Sequence, residues 1–94
     1  MSAAYMGRDR VERISLTNRG LNYGDGVFET MRVHHGVLPL WPRHLARLRA
    51  GAQRLGIALP DVAFIEARLH ELCAGVDAGV IKLLLTRGDG GRGY

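Results

Sequence analysis

Residues 18–30 have the sequence Asn-Arg-Gly-Leu-Asn-Tyr-Gly-Asp-Gly-Val-Phe-Glu-Thr, which predicts a tight turn followed at once by a strand. Gly24 and Gly26 flank Asp25, and glycine supplies the backbone angles that such a turn requires. From Val27 onward the side chains are expected to alternate between two faces, because strand residues repeat with a period of two. One face then carries Val27, Glu29, Met31 and Val33, and the other carries Phe28, Thr30 and Arg32.

The flanking sequence predicts further strands on both sides of this segment. Residues 11–16 are the better strand candidate within the first 15 residues. After the strand at residues 27–35, the pair His35-Gly36 predicts a tight turn into residues 37–40, Val-Leu-Pro-Leu, with the spacing of a hairpin. Residues 78–87 are strongly apolar and predict a strand at the centre of a sheet.

Two helices are predicted between these strands, because the apolar residues there change to a helical period. The stripe within residues 43–56 consists of Leu45, Leu48, Ala52 and Leu55, and Gly56 is the expected C-cap. The stripe within residues 61–75 consists of Val62, Ile65, Leu69, Leu72 and Cys73. The order of elements predicts an α+β fold, with a mixed or antiparallel sheet and both helices packed against it.

Length and composition point to one small globular domain. The 94 residues are 47% hydrophobic and 23% charged, which favours a folded chain over a disordered one. No apolar run is long enough to cross a bilayer, so we expect a cytoplasmic protein without a membrane partner. The single cysteine, Cys73, lies in a helical pattern and is expected to be a small core residue.

The net charge of +4 comes from twelve arginines, against a single lysine, Lys82. Basic clusters can bind nucleic acid, but no aromatic residues are interleaved with them and no nucleic-acid motif is present. A small anionic ligand therefore agrees better with the sequence. The four histidines lack metal-ligand spacing, so no metal site is expected.

The glycines of residues 88–93 match the pattern G-x-G-x-x-G and follow a predicted strand. A dinucleotide site also needs a helix directly after them and an acidic residue about 20 positions further on. The sequence shows neither after Gly93, so a loop or linker is the favoured interpretation. Because such a stretch should connect to a further segment, we expect a truncation.

Residues 24–30, Gly-Asp-Gly-Val-Phe-Glu-Thr, resemble the N-terminal signature of the fold-type IV family of pyridoxal 5′-phosphate (PLP) enzymes. That family comprises branched-chain aminotransferases, D-amino-acid aminotransferases and 4-amino-4-deoxychorismate lyases. Together with residues 88–94, Gly-Asp-Gly-Gly-Arg-Gly-Tyr, the signature looks most like the lyases. The resemblance covers essentially the whole of residues 1–94, but only the small N-terminal domain of the family.

The resemblance also implies roles for individual residues. Residues 42–48 resemble the family's helix in which an arginine, here Arg47, holds the PLP phosphate. A guanidinium suits that role because its planar, permanently charged fork matches phosphate oxygens. Phe28 and Thr30 would line the substrate pocket, although ordinary sheet packing is the alternative, and Arg92 would reach a substrate carboxylate in a neighbouring subunit. Phe28 and Tyr94 both differ from the tyrosine and histidine of D-amino-acid aminotransferases.

A PLP enzyme needs a lysine that holds the cofactor covalently. Either Lys82 is that residue, or the lysine lies outside residues 1–94. In the family it lies well downstream, in a larger C-terminal domain. We therefore expect no catalytic residue in this chain and no activity from it alone.

The resemblance implies the N-terminal part of a PLP-dependent aminodeoxychorismate lyase. Such an enzyme forms 4-aminobenzoate and pyruvate from an anionic substrate in folate biosynthesis, and it is expected to be a homodimer. The alternative within the family is a branched-chain or D-amino-acid aminotransferase. A non-catalytic anion-binding or interaction module is the alternative of another class.

Overall fold

The computed structural model describes residues 3–13, 16–18, 24 and 26–87. In chain order, the elements are β1 (Ala4–Met6), β2 (Asp9–Val11), β3 (Gly26–His34), α1 (Trp41–Leu55), α2 (Val62–Cys73) and β4 (Ala78–Thr86). Strands and helices together form the α+β fold that the sequence predicts. The predicted residues Asp25, Arg92 and Tyr94 lie outside the described part.

β3 and β4 form an antiparallel pair in which Gly26 lies opposite Thr86 and His34 lies opposite Ala78. Glu29, Met31 and Val33 are buried on the side of the sheet that faces the helices. Phe28, Thr30 and Arg32 are exposed on the opposite side, hereafter the open face. The predicted division of β3 into two faces is therefore confirmed.

The predicted turn after β3 is present, but the predicted strand after the turn is not. His35 and Gly36 both have positive φ, of 49° and 76°, and His34 and Val37 exchange backbone hydrogen bonds across them. This geometry suits a two-residue reversal of an antiparallel pair. Pairing stops at that single bridge, because Pro39 has no N–H to donate and the chain turns into α1. The partner of β3 is instead β4.

Both predicted helices are present with slightly different ends. α1 begins two residues earlier than expected, with Pro42 in its first turn, and ends at Leu55, before Gly56 in the left-handed conformation. α2 begins after Asp61, whose carboxylate accepts a hydrogen bond from the N–H of Ala63. That contact satisfies one of the free donors at a helix start.

The core lies between the sheet and the two helices. Met31 of β3 packs with Ile65 and Leu69 of α2, and Leu48 and Ala52 of α1 are also buried. Cys73 is 2% exposed at the end of α2, which confirms its predicted place in the core.

Two strand predictions need correction. The first strands pair as the short hairpin β1–β2, and of the described residues 11–13 and 16 only Val11 lies in a strand. The guanidinium of Arg68 fixes this hairpin to α2, since its Nε donates to the carbonyl oxygen of Gly7. β4 was expected at the centre of a sheet, but among the described residues β3 is its one neighbour. Its Val80 and Leu84 are exposed on the open face instead of being buried on both sides.

Within the described ranges, neither helix has the length and apolar character that a membrane span requires.

Candidate cofactor and substrate site

Arg47 lies in the middle of α1 and forms an ion pair with Glu29 of β3. Its Nε is 3.5 Å from Oε2 of Glu29. The Nδ1–H of His44 donates to the other carboxylate oxygen, Oε1, at 2.7 Å. The three side chains form one cluster that joins the first helix to the sheet.

The local fold explains why these residues meet. Alternation along β3 turns Glu29 toward the helices, and residues three apart on a helix share one side. His44 and Arg47 therefore reach the same carboxylate from α1. Glu29 is only 7% exposed, and a carboxylate so deeply buried is stable only with charged or hydrogen-bonding partners.

Arg47 has the exposure and the free donors that an anion site needs. Its side chain is 75% exposed, and its contact with Glu29 uses only Nε. Within the described residues, neither terminal nitrogen of its guanidinium has a hydrogen-bond partner. These two nitrogens can form the planar fork that binds phosphate. The other arginines of α1, among them Arg54 in its last turn, form no ion pair with any residue that the structure describes.

The open face of the β3–β4 sheet holds the predicted pocket residues Phe28 and Thr30. Phe28 is 57% exposed, and the Nζ of Lys82 lies 4.8 Å from the centre of its ring. Thr30 pairs with Lys82 across the strands. Arg32 is on the same face, and no Asp or Glu of either strand points to this side. The face therefore favours an anion that also has an apolar part.

The structure brings only some of the predicted site residues together. Phe28 and Thr30 share the open face, whereas Arg47 contacts Glu29 on the helix side of the same sheet. Arg92 lies outside the described residues. The sequence analysis missed Glu29 and His44 as partners of Arg47. A signal was available, because Glu29 is the one carboxylate on an otherwise apolar strand face.

Two small hollows occur among the described residues. The larger one has a volume of about 180 Å³ and lies between the turn after β3 and α2, beside Trp41, Leu69 and Cys73. A second one, of about 80 Å³, lies beside Arg32 and His44. Sites for cofactors usually measure about 300–1,000 Å³. Neither of these two hollows reaches that size.

No group of three or more His, Cys, Asp or Glu side chains that could hold a metal ion occurs in the part of the chain that the structure describes.

The chain matches known proteins over most of its length. Residues 26–94 match the family described as Amino-transferase class IV. Aminodeoxychorismate lyase of Vibrio harveyi is 36% identical over 86% of this chain and 30% of that relative. D-alanine aminotransferase of Bacillus licheniformis is 37% identical over 80% of this chain and 28% of that relative.

Solved structures agree with these matches. The crystal structure of 4-amino-4-deoxychorismate lyase from Pseudomonas aeruginosa superposes with a TM-score of 0.83 and 49% identity, over 94% of this chain and 32% of that one. A hypothetical aminotransferase from Mycobacterium tuberculosis, in its PLP-bound form, superposes with a TM-score of 0.77 and 27% identity, over 86% of this chain and 30% of that one.

The chain thus spans about 30% of the length of the curated relatives that it matches. The sequence identities, the fold and the family match over residues 26–94 all indicate the same family. The chain belongs to the class IV aminotransferase family of PLP-dependent enzymes.

Proposed function

We propose that this chain is the N-terminal part of an aminodeoxychorismate lyase, which converts 4-amino-4-deoxychorismate into 4-aminobenzoate and pyruvate. The observation that carries the proposal is the 49% identity with the solved lyase of Pseudomonas aeruginosa across 94% of this chain. The aminotransferase structure from Mycobacterium tuberculosis is only 27% identical. The product would serve folate biosynthesis.

The residues present are suited to the phosphate of PLP. Arg47 is exposed, and its two terminal nitrogens are without partners among the described residues. We assign it the role of binding the phosphate, because a bidentate, charge-assisted contact holds such an anion tightly. When bound, PLP supplies the electron sink for the electron pair released at the carbon that bears the substrate amine.

The open face provides the second half of the proposed site. Phe28 and Thr30 would line the substrate pocket, with Arg92 contributing a carboxylate contact from a neighbouring subunit. The substrate is an anion with an unsaturated ring, and the open face combines the exposed Phe28 ring with the cation of Lys82. These features support an anionic substrate without identifying it.

We further propose that the lysine that holds PLP belongs to a larger C-terminal domain. Lys82 is the one lysine of the sequence, and its ammonium group lies over the Phe28 ring, on the open face. The family resemblance implies a lysine well downstream, and the chain spans only about 30% of the curated relatives that it matches. The whole protein would be a cytoplasmic homodimer, as the family resemblance implies.

A second candidate function is transamination of D-alanine or a branched-chain amino acid. The 37% identity with D-alanine aminotransferase of Bacillus licheniformis favours it. Phe28 argues against the D-amino-acid branch, since phenylalanine lacks the hydroxyl that aids carboxylate recognition there.

The test is product formation by the full-length protein. With PLP and 4-amino-4-deoxychorismate, made from chorismate by an aminodeoxychorismate synthase, we expect 4-aminobenzoate, followed by its fluorescence. A parallel incubation contains D-alanine and 2-oxoglutarate. Transfer of the D-alanine amine without any 4-aminobenzoate from the first incubation would replace the lyase by the aminotransferase. Neither reaction in protein that retains PLP would favour a non-catalytic module.

A further inference from the structure

Glu29 is a buried carboxylate whose partners among the described residues, His44 and Arg47, both belong to α1. One of its oxygens accepts from His44 at 2.7 Å, and the other lies 3.5 Å from Nε of Arg47. His44 is itself only 16% exposed. Because both partners come from one helix and lie three residues apart, the carboxylate has little freedom to move relative to α1.

This arrangement restricts Arg47 at one edge of its guanidinium only. Nε faces Glu29, while the two terminal nitrogens have no partner among the described residues. A long side chain in solvent normally samples many rotamers, and it loses that freedom when it binds a ligand. An arginine already held through Nε loses less, so its fork is prepared for an anion before the anion arrives.

The charge of Glu29 has the opposite effect. A carboxylate beside a phosphate-binding arginine repels the phosphate and neutralises part of the arginine's attraction. If charge alone mattered, replacing Glu29 by a neutral residue would tighten anion binding. If holding Arg47 matters more, the same replacement would weaken binding. The sign of the change therefore separates the two effects.

We propose that Glu29 is a positioning residue that fixes the guanidinium of Arg47 so that both terminal nitrogens face a phosphate group. His44 supports this role, because it donates a hydrogen bond to the other carboxylate oxygen of Glu29. This inference rests on the proposed function, since the phosphate concerned is that of PLP.

The experiment measures dissociation constants of PLP and of pyridoxal, which lacks the phosphate, for the full-length protein. Glu29→Gln removes the charge and keeps the size of the side chain. We expect it to weaken PLP binding roughly threefold to tenfold, the range that ordering one long side chain implies, and to leave pyridoxal binding unchanged. The matched control is Glu66→Gln, which removes an exposed carboxylate that accepts from Trp41 Nε1 at 2.7 Å. It should change neither constant.

A double-mutant cycle shows whether Glu29 acts through Arg47. Arg47→Lys keeps the positive charge but removes Nε and the planar fork. In that background Glu29→Gln should have no further effect on PLP affinity, because the group to be positioned is gone. Additive losses in the double variant would overturn the proposal, as would tighter or unchanged PLP binding in Glu29→Gln alone.

A direct readout of Arg47 does not depend on the cofactor. In ¹⁵N relaxation measurements, the Nε–H of Arg47 should be more ordered than that of Arg54 in the wild type and lose this order in Glu29→Gln. Unchanged order would overturn the positioning role by itself. If Glu29→Gln does not fold, Glu29→Asp keeps the buried charge, withdraws it by one methylene, and should show the same two losses. Failure of the lyase assignment differs, because it would appear in the product assay and leave the PLP measurements unchanged. Failure of the phosphate role of Arg47 would appear as wild-type protein that binds PLP no more tightly than pyridoxal.

Discussion

Arg47 differs from the neighbouring arginines of α1 because its guanidinium is held at one edge and open at the other. The ion pair with Glu29 fixes Nε, and an anion can take the remaining donors. Helical periodicity does not separate Arg47 from Arg54, since the two lie on nearly the same side of the helix. The contact with a buried carboxylate does separate them.

We therefore expect Arg47→Ala to weaken PLP binding by the full-length protein about tenfold to a hundredfold. That is the loss expected from removing a charge-assisted hydrogen bond worth roughly 1.5–3 kcal/mol. Arg54→Ala is the matched control on the same helix and should have little effect, because a solvated arginine contributes little. Equal PLP dissociation constants for the two variants would contradict the role of Arg47.

Cys73 provides a second prediction for a single residue. Burial raises the pKa of its thiol above the ordinary value of 9.0. Since the folded pKa lies above the unfolded one, this group's stabilising effect is complete below about pH 9. It then falls as the pH rises through the folded pKa.

In a disulfide-exchange assay at pH 8, the native thiol should react at least about tenfold more slowly than in urea, because the reaction requires the core to open. Cys73→Ser should remove the thiol's contribution to the fall in the free energy of unfolding above pH 9. Urea unfolding at several pH values measures this. Rapid labelling of the native protein would show that the end of α2 is open.

At the scale of single residues, the sequence suggested a role for Arg47 but gave no information on its environment. The motif of residues 42–48 pointed to Arg47 through a family resemblance. The pairing with Glu29 joins residues 18 positions apart, on a strand and a helix. Such a contact depends on how the helix is seated on the sheet, and no local pattern contains that information.

At the scale of elements, the close approach of β3 to β4 depends on Gly26. A Cβ built at this position would overlap the backbone carbonyl oxygen of Leu85, which the strand pairing holds in place. At Gly79, near the opposite end of the same pair, the nearest atom is a side-chain methyl of Val76 at 3.1 Å. A side chain can move more easily than a paired backbone group.

We accordingly expect Gly26→Ala to lower the free energy of unfolding by about 1–3 kcal/mol, the usual range for overpacking. Gly79→Ala is the matched control in β4 and should cost clearly less. Urea unfolding of both variants provides the comparison. A Gly26→Ala protein as stable as the wild type would mean that the two strands separate at this end without loss.

Local sequence patterns predicted the faces of β3 and the turn after it correctly, but not the strand that pairs with β3. Alternation correctly separated the two faces of β3, because one face is buried by the helices and the other is not. The turn at His35-Gly36 was also predicted correctly. The strand expected at residues 37–40 was wrong, because local spacing predicts a partner close in sequence. The actual partner, β4, begins at Ala78, 44 positions after its pairing residue His34 and beyond two helices.

For the whole molecule, the open face is the surface that a further domain or a second copy could cover. Phe28, Val80 and Leu84 are exposed there together, on one side of a two-stranded sheet. Adjacent exposed apolar side chains of this size usually mark an interface. We expect the larger domain proposed above to cover part of this face.

Residues 1–94 expressed alone should therefore self-associate and bind an apolar dye. Light scattering over a concentration series measures the first, and dye fluorescence the second. Val80→Thr combined with Leu84→Thr should reduce both signals. The control is Leu55→Gln, which changes a partly exposed apolar residue of α1. It should leave both signals unchanged. A monomer that binds no dye at high concentration would show that the open face needs no cover.

Residues 1–94 are enough to predict the family, the fold and which side chains lie on each face of β3. They do not identify the lysine that forms the covalent bond with PLP. Lys82 is the single lysine in the sequence and lies over the Phe28 ring, on the open face of the sheet. We propose that residues 1–94 hold the phosphate and line part of a pocket whose lysine belongs to another part of the protein.

Borohydride reduction of the full-length protein with PLP, followed by peptide mapping, tests this claim most directly. Reduction fixes the cofactor to whichever lysine holds it. We predict stoichiometric labelling of a lysine beyond residue 94 and none at Lys82, and residues 1–94 alone should acquire no specific label. Stoichiometric labelling of Lys82 would contradict the account.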